Sequence, residues 1–97
     1  MTSQDNFTGM ITDEEINRMR WASRRGMLEL DLLLEPFVTA RYRELDAADR
    51  QRYQELMLCE DQDLFAWFLR KEQPEDPELV AIVRSILEFA RTAPEHR

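Results

Sequence analysis

The side chains best suited to chemistry in this chain are four arginines and a tryptophan gathered into one short run. Arg18, Arg20, Arg24 and Arg25 stand with Trp21 between residues 17 and 28, a stretch without an acidic residue. The chain as a whole is acidic, with a net charge of −7. Arginine forks match carboxylates and phosphates, and arginine beside an aromatic is the usual composition of a protein–protein hot spot. At about 100° per residue, Arg18, Trp21 and Arg25 fall on one side of a helix. Gly26 interrupts the run and Glu29 follows it. A reading without function competes with recognition. Arg24 and Arg25 suit the C-terminal end of a helix dipole, and Gly26 suits the positive φ just past such an end. Arg25 and Glu29 could also form an internal ion pair, worth little if exposed.

Catalytic and metal-binding inventories are thin, and no catalytic, cofactor-binding or metal-ligating residue is expected. The single histidine, His96, is next to last in the chain, a poor place for a rigid base or ligand. No glycine-rich phosphate loop, nucleophile elbow or metal-ligand spacing occurs. Glu60, Asp61 and Asp63 lack the calcium-loop spacing and its glycine, and read as a solvated face that also caps a helix. The lone cysteine, Cys59, allows no internal disulfide and reads as a small buried residue rather than a reactive thiol. Negative charge argues against duplex DNA and anionic membranes as partners. The N-terminus lacks the basic and apolar regions of a signal peptide, and no apolar run approaches the ~18 residues of a span. The expected location is cytoplasmic.

The elements that must hold this run are helical. Hydrophobic residues make up 43% and charged residues 34% of 97, which suits one folded, soluble domain. Thr12 and Glu15 form a capping box, with Ile11 and Ile16 as its hydrophobic staple. Helix 1 is expected over 13 to 25, ended by Gly26, with Ile16, Met19 and Ser23 facing inward. Trp21 falls on the opposite face, as an exposed anchor or packed from the side. Helix 2 starts near Met27 and carries Met27, Leu30, Leu33, Leu34 and Phe37 on one stripe. Leu28 and Leu32 lie off that stripe, so the helix is apolar around much of its girth and is expected at the centre. Pro36 should kink or divide it. Asp46 caps helix 3, which points Tyr53, Leu56 and Met57 inward. Asp61 is the expected cap of helix 4, whose buried face is Leu64, Phe65, Phe68 and Leu69, leaving Trp67 as a second surface aromatic. Asp76-Pro77 opens helix 5, with Leu79, Ile82, Val83, Ile86, Leu87 and Ala90 inward and Pro94 closing it. The expectation is an all-α, compact five-helix bundle, monomeric, over residues 11–93, with flexible tails at 1–10 and 94–97.

Arg25-Gly26-Met27-Leu28-Glu29 matches the RGxxE motif of the SdhE family, the flavinylation factors for succinate dehydrogenase. Trp21-Ala22 with Arg24-Arg25-Gly26-Met27 is similar to the family's W-A-x-R-R-G-M, and Glu29-Leu30-Asp31 to its E-L-D. Pro36-Phe37 recurs at the family's spacing. The segment from Leu58 to Trp67 resembles its L-x-C/E-D-x-D-L-x-x-W. The ordered set covers roughly residues 17 to 90. Leu28 departs from the family, where a charged or polar residue often stands, and residues 1 to 10 match no motif. The resemblance implies a small five-helix bundle that acts as an assembly factor rather than an enzyme. It would bind the flavoprotein subunit of succinate dehydrogenase and, in bacteria, fumarate reductase, and promote covalent attachment of FAD to a client histidine. The FAD would belong to the client. Arg25, Gly26 and Glu29 would form the functional surface, with Arg25 and Glu29 on either side of the glycine and Trp21, Arg24 and Arg18 beside them. An antitoxin-like or regulatory helical module is the competing class; a toxin-wrapping arm would have only the ten N-terminal residues to use.

Overall fold

A computed structural model of the chain describes residues 11–92. It contains α1 (Asp13–Ala22), α2 (Leu28–Arg41), a 3-10 turn (Tyr42–Glu44), α3 (Ala47–Leu56), α4 (Asp61–Phe68) and α5 (Pro77–Thr92), and no strand among the described residues. The bundle is all-α with five helices, as expected from the periodicity. The expected tails at 1–10 and 94–97, with Pro94 and His96, lie outside the described residues.

Helix starts follow the caps read from the sequence. Thr12 Oγ1 accepts from the Glu15 N–H at 3.1 Å. Glu15 does not reach back to Thr12; its carboxylate accepts from the Tyr42 hydroxyl at 3.2 Å, which ties α1 to the end of α2. Asp46 accepts from the Asp49 N–H at 2.8 Å, and Asp76 from the Glu78 N–H at 2.9 Å, with Pro77 in the first helical position. Helix α4 differs from expectation. Glu60 holds its N-cap position without a side-chain hydrogen bond, and Asp61 is the first helical residue. The Asp61 carboxylate is turned to Arg25 instead.

Helix α1 ends at Ala22 rather than at residue 25. The physical reason is Ser23. Its side chain is fully buried, where Oγ donates to the Met19 carbonyl at 2.7 Å and lies 2.5 Å from the Tyr53 hydroxyl. With the serine proton given to Met19, the tyrosine is the donor in that short contact. Arg24 and Arg25 therefore lie in a loop, not in a last helical turn. Gly26 keeps its expected positive φ, +79°, but it turns the chain into α2 instead of closing α1.

Helix α2 is the centre of the bundle, packing against α1, α4 and α5, while α3 also packs on α5. It runs unbroken through Pro36. The acceptor that Pro36 leaves without an amide partner is the carbonyl of Leu32, an exposed residue on the solvent side, where water can replace the lost bond. Leu30, Leu34, Phe37 and Val38 form its buried face, and Leu33 is only half-buried. Phe37 stacks on Tyr53 at 5.8 Å between ring centroids and meets Phe89 edge-on at 5.7 Å.

Two inward assignments and one outward assignment change. Leu69 is exposed, because α4 stops at Phe68 and the chain turns away through Arg70, whose φ is +64°. Ala90 is exposed and Phe89 buried; the longer side chain reaches across to Phe37 from the edge of the α5 stripe. Trp67 is not a surface aromatic but packs half-buried against the core. Burial of these stripes drives folding at about 25 cal/mol per Å² of apolar area.

Candidate functional site

The loop between α1 and α2 is built by two acids that come from outside it. Asp31, in the first turn of α2, accepts the backbone N–H of Arg25 at 2.8 Å. This substitutes for the helical carbonyl that Arg25 would have used had α1 continued. Asp61, at the start of α4, accepts from the Arg25 guanidinium at 3.3 Å.

Arg25 is turned inward. Its side chain is only 14% exposed. One terminal nitrogen donates to the Met57 carbonyl at 2.5 Å, and the other reaches Asp61. Met57 caps the C-terminus of α3, where carbonyls lack intrahelical partners and a cation is favoured. Arg25 Nε is buried without a partner, so the terminal nitrogens alone carry the contacts. A single side chain thus joins the α1–α2 loop, the end of α3 and the start of α4.

Two expectations change as a result. Arg18, Trp21 and Arg25 do not form one stripe. Arg25 has left the helix, and Arg18 lies on the flank of α1 that faces Gln54 and Leu58. Arg25 and Glu29 do not pair either, because Arg25 is committed to Met57 and Asp61. Among the described residues no cation bridges to exposed Glu29.

Gly26 is open. Nothing lies within 4 Å of the position a Cβ would occupy. The conformation itself still favours glycine, since φ is +79°. The Gly26 backbone and the Glu29 carboxylate are therefore both presented outward.

Trp21 is 71% exposed, which settles the question left by periodicity. The Arg24 guanidinium stands 5.1 Å from its ring centroid, and Arg24 Nε donates to Glu35 at 3.1 Å. A cation–π contact at an exposed site contributes about 0.5–1 kcal/mol. The chain Trp21–Arg24–Glu35 links α1 to α2 beside the glycine.

Other ionisable groups are held for structure. Burial raises the Tyr53 hydroxyl well above its ordinary range. Burial also raises Tyr42. Cys59 is half-buried, and burial, with Asp63 nearby, pushes its thiol up, which disfavours the reactive thiolate. Among the described residues no group of three or more His, Cys, Asp or Glu side chains is arranged for a metal, and no helix is long and apolar enough to cross a membrane.

Asp31 and Asp61 were not singled out as site residues in the sequence. The signal for Asp31 lay in the E-L-D pattern, read only as resemblance. Asp61 resembled a helix cap, and only packing reveals that its partner is an arginine on another element.

Residues 17–90 match the pattern of a family designated Sdh5 and described as "Flavinator of succinate dehydrogenase". The chain is 53% identical over 79 residues to a protein of Pseudomonas savastanoi named FAD assembly factor SdhE, covering 81% of this chain and 94% of that one. It is 52% identical over 79 residues to the protein of that name in Pseudomonas aeruginosa, with the same coverage, 81% and 94%. To the one in Colwellia psychrerythraea it is 45% identical over 87 residues, covering 90% of this chain and 94% of that one.

Proposed function

The chain belongs to the Sdh5 family of succinate dehydrogenase flavinators, and from that premise we propose that it is an FAD assembly factor. It acts by binding the flavoprotein subunit of succinate dehydrogenase, and that of fumarate reductase as a second client. It promotes covalent attachment of FAD to a histidine of the bound subunit. The family is one of assembly factors and not of the enzymes they serve. In this reading FAD and the histidine are the client's, and the helper contributes contacts.

The observation that carries the reading is the pairing of an open glycine with an uncommitted acid. Gly26 has free space where a side chain would stand, and a client backbone can approach it closely. Glu29 is exposed two residues before Asp31, the residue that fixes the preceding loop. Contacts made to one client conformation increase its population. If that conformation holds FAD against its histidine, the effective concentration of the two groups rises without a catalytic residue in the helper. Arg25 serves this surface from beneath, as a positioning residue, and Trp21 with Arg24 widens it.

The test is flavinylation of the client. The flavoprotein subunit is expressed with and without the chain, and covalent flavin is read by fluorescence after denaturing electrophoresis. Covalent flavin that requires the wild-type chain, and falls with Glu29→Ala while the melting midpoint is kept, supports the reading. Equal flavin in every lane would sink it.

A further inference from the structure

Helix α2 is the central helix of the bundle, yet one of its faces is bare and apolar. Leu30, Leu34, Phe37 and Val38 are buried. On the opposite side Leu28 is 68% exposed and Leu32 is 64% exposed. Pro36 follows at the same i+4 spacing, half-buried, and with the two leucines it lines a shallow groove. A single exposed leucine needs no explanation. A stripe of three apolar residues on successive turns, outside the core, does.

The stripe also has a definite place. Glu35 borders its groove and reaches back to Arg24, which stacks on Trp21. Glu29 borders the opposite edge by helical spacing, and Gly26 stands just before its first leucine. The two surface features, Trp21–Arg24 and Gly26–Glu29, thus lie at the margins of one apolar face.

We infer that the Leu28–Leu32–Pro36 face of α2 is a docking surface for the client flavoprotein, taking an apolar patch bordered by basic side chains. The inference rests on the function proposed above and extends the contact surface along α2. Two arguments favour this occupant. The stripe is continuous with the glycine and glutamate through which that reading has the client bind. Among the described residues its unpaired rim charge is acidic, with the unbridged Glu29 on one edge and Asp31 in the groove wall, while Glu35 on the other edge is paired with Arg24. A second copy of the chain would set acid against acid between molecules of net charge −7, whereas a basic rim is complementary. An apolar centre within a charged rim is the ordinary anatomy of a specific interface.

The experiment measures binding of the full chain to purified flavoprotein subunit by biolayer interferometry, with light scattering of the free chain. The variants are Leu28→Asp/Leu32→Asp and Leu28→Gln/Leu32→Gln, the second keeping good helix formers should the first lose its fold; Glu29→Ala is run beside them. The expected result is a dissociation constant raised about tenfold or more by both double substitutions, with the helical signal and melting midpoint of the glutamine pair unchanged. Wild-type affinity in the glutamine pair, while Glu29→Ala binds weakly, overturns the docking face and leaves the assembly function standing. No binding by the wild type overturns the assembly reading and this occupant together. A wild-type dimer that the substitutions dissociate assigns the face to self-association and overturns the inference.

Discussion

Asp31 accepts the backbone N–H of Arg25 at 2.8 Å, so an acid in the first turn of α2 holds the loop that leads into that helix. The bond is half-buried and its acceptor is charged, which places it among the stronger hydrogen bonds in water. Asp31→Ala is expected to cost about 1–3 kcal/mol, read as a lowered urea midpoint at unchanged slope. Asp31→Asn keeps a carbonyl oxygen in place and should recover most of the loss. If both variants melt like the wild type, Asp31 does not hold the loop.

Arg25 is expected to act through the fold. Its terminal nitrogens bind the Met57 carbonyl and Asp61, so Arg25→Ala should lower stability by about 2 kcal/mol. Arg25→Lys should not restore it, because a single ammonium cannot reproduce the fork that spans both partners. Hydrogen exchange should rise at the end of α3 and the start of α4. An Arg25→Ala protein that keeps wild-type stability but loses flavinylation would show that this residue meets the client directly.

Gly26 separates backbone strain from contact. Gly26→Ala forces a Cβ onto a φ of +79° but meets no atom within 4 Å, so the expected cost is roughly 1 kcal/mol. Gly26→Arg carries the same backbone cost and projects a long side chain outward. Both should keep the helical signal of the wild type. Only the arginine variant should abolish client binding, and a similar loss in both would assign the glycine to backbone shape alone.

Core and face can be told apart on the same helix. Leu34 is fully buried, and Leu34→Ala should cost about 2–5 kcal/mol. Leu28 is exposed, and Leu28→Ala should stay within about 0.5 kcal/mol. Half-buried Leu33 should fall between them. Denaturant melts of the three variants provide the check.

Alkali should unfold the protein through its buried tyrosines. Burial raises Tyr53 and, more weakly, Tyr42 above their ordinary value of 10, so the folded state keeps protons that the unfolded state gives up. Their contribution is complete below about pH 10 and is lost as pH rises from there toward the folded pKa, for Tyr53 at about 1.4 kcal/mol per pH unit. Cys59 acts in the same direction from a lower starting point. Tyr53→Phe should flatten the decline between about pH 10 and 11, measured by urea denaturation at each pH. An unchanged slope would mean that Tyr53 ionises freely in the fold.

The five helices were legible because each carries an apolar period, to which α1, α3 and α5 add a local start signal that α2 and α4 lack. Thr12, Asp46 and Asp76 cap their helices through hydrogen bonds that span two or three residues, and such bonds depend on nothing distant. The central position of α2 rests on one buried face and not on an apolar girth, since Leu28 and Leu32 stand exposed, and the motif at Gly26 followed from a short ordered pattern. Those features belong to neighbouring residues, and neighbours are what a sequence displays.

What the tertiary structure decided is where the motif's side chains point. Periodicity carried α1 through Arg25 and put that arginine on an exposed stripe. The buried Ser23–Tyr53 contact and the capture of the Arg25 N–H by Asp31 stop the helix first, and the guanidinium then turns to Met57 and Asp61. Tyr53, Met57 and Asp61 lie about 30 or more residues beyond their partners. No local propensity encodes such contacts, because they exist only once α3 and α4 have packed. By itself the chain's order of residues determined an all-α bundle with a conspicuous arginine–glycine–glutamate motif. Packing decided that Arg25 is a brace, and that the glycine, the glutamate, Trp21 and a stripe of leucines are among what the surface offers.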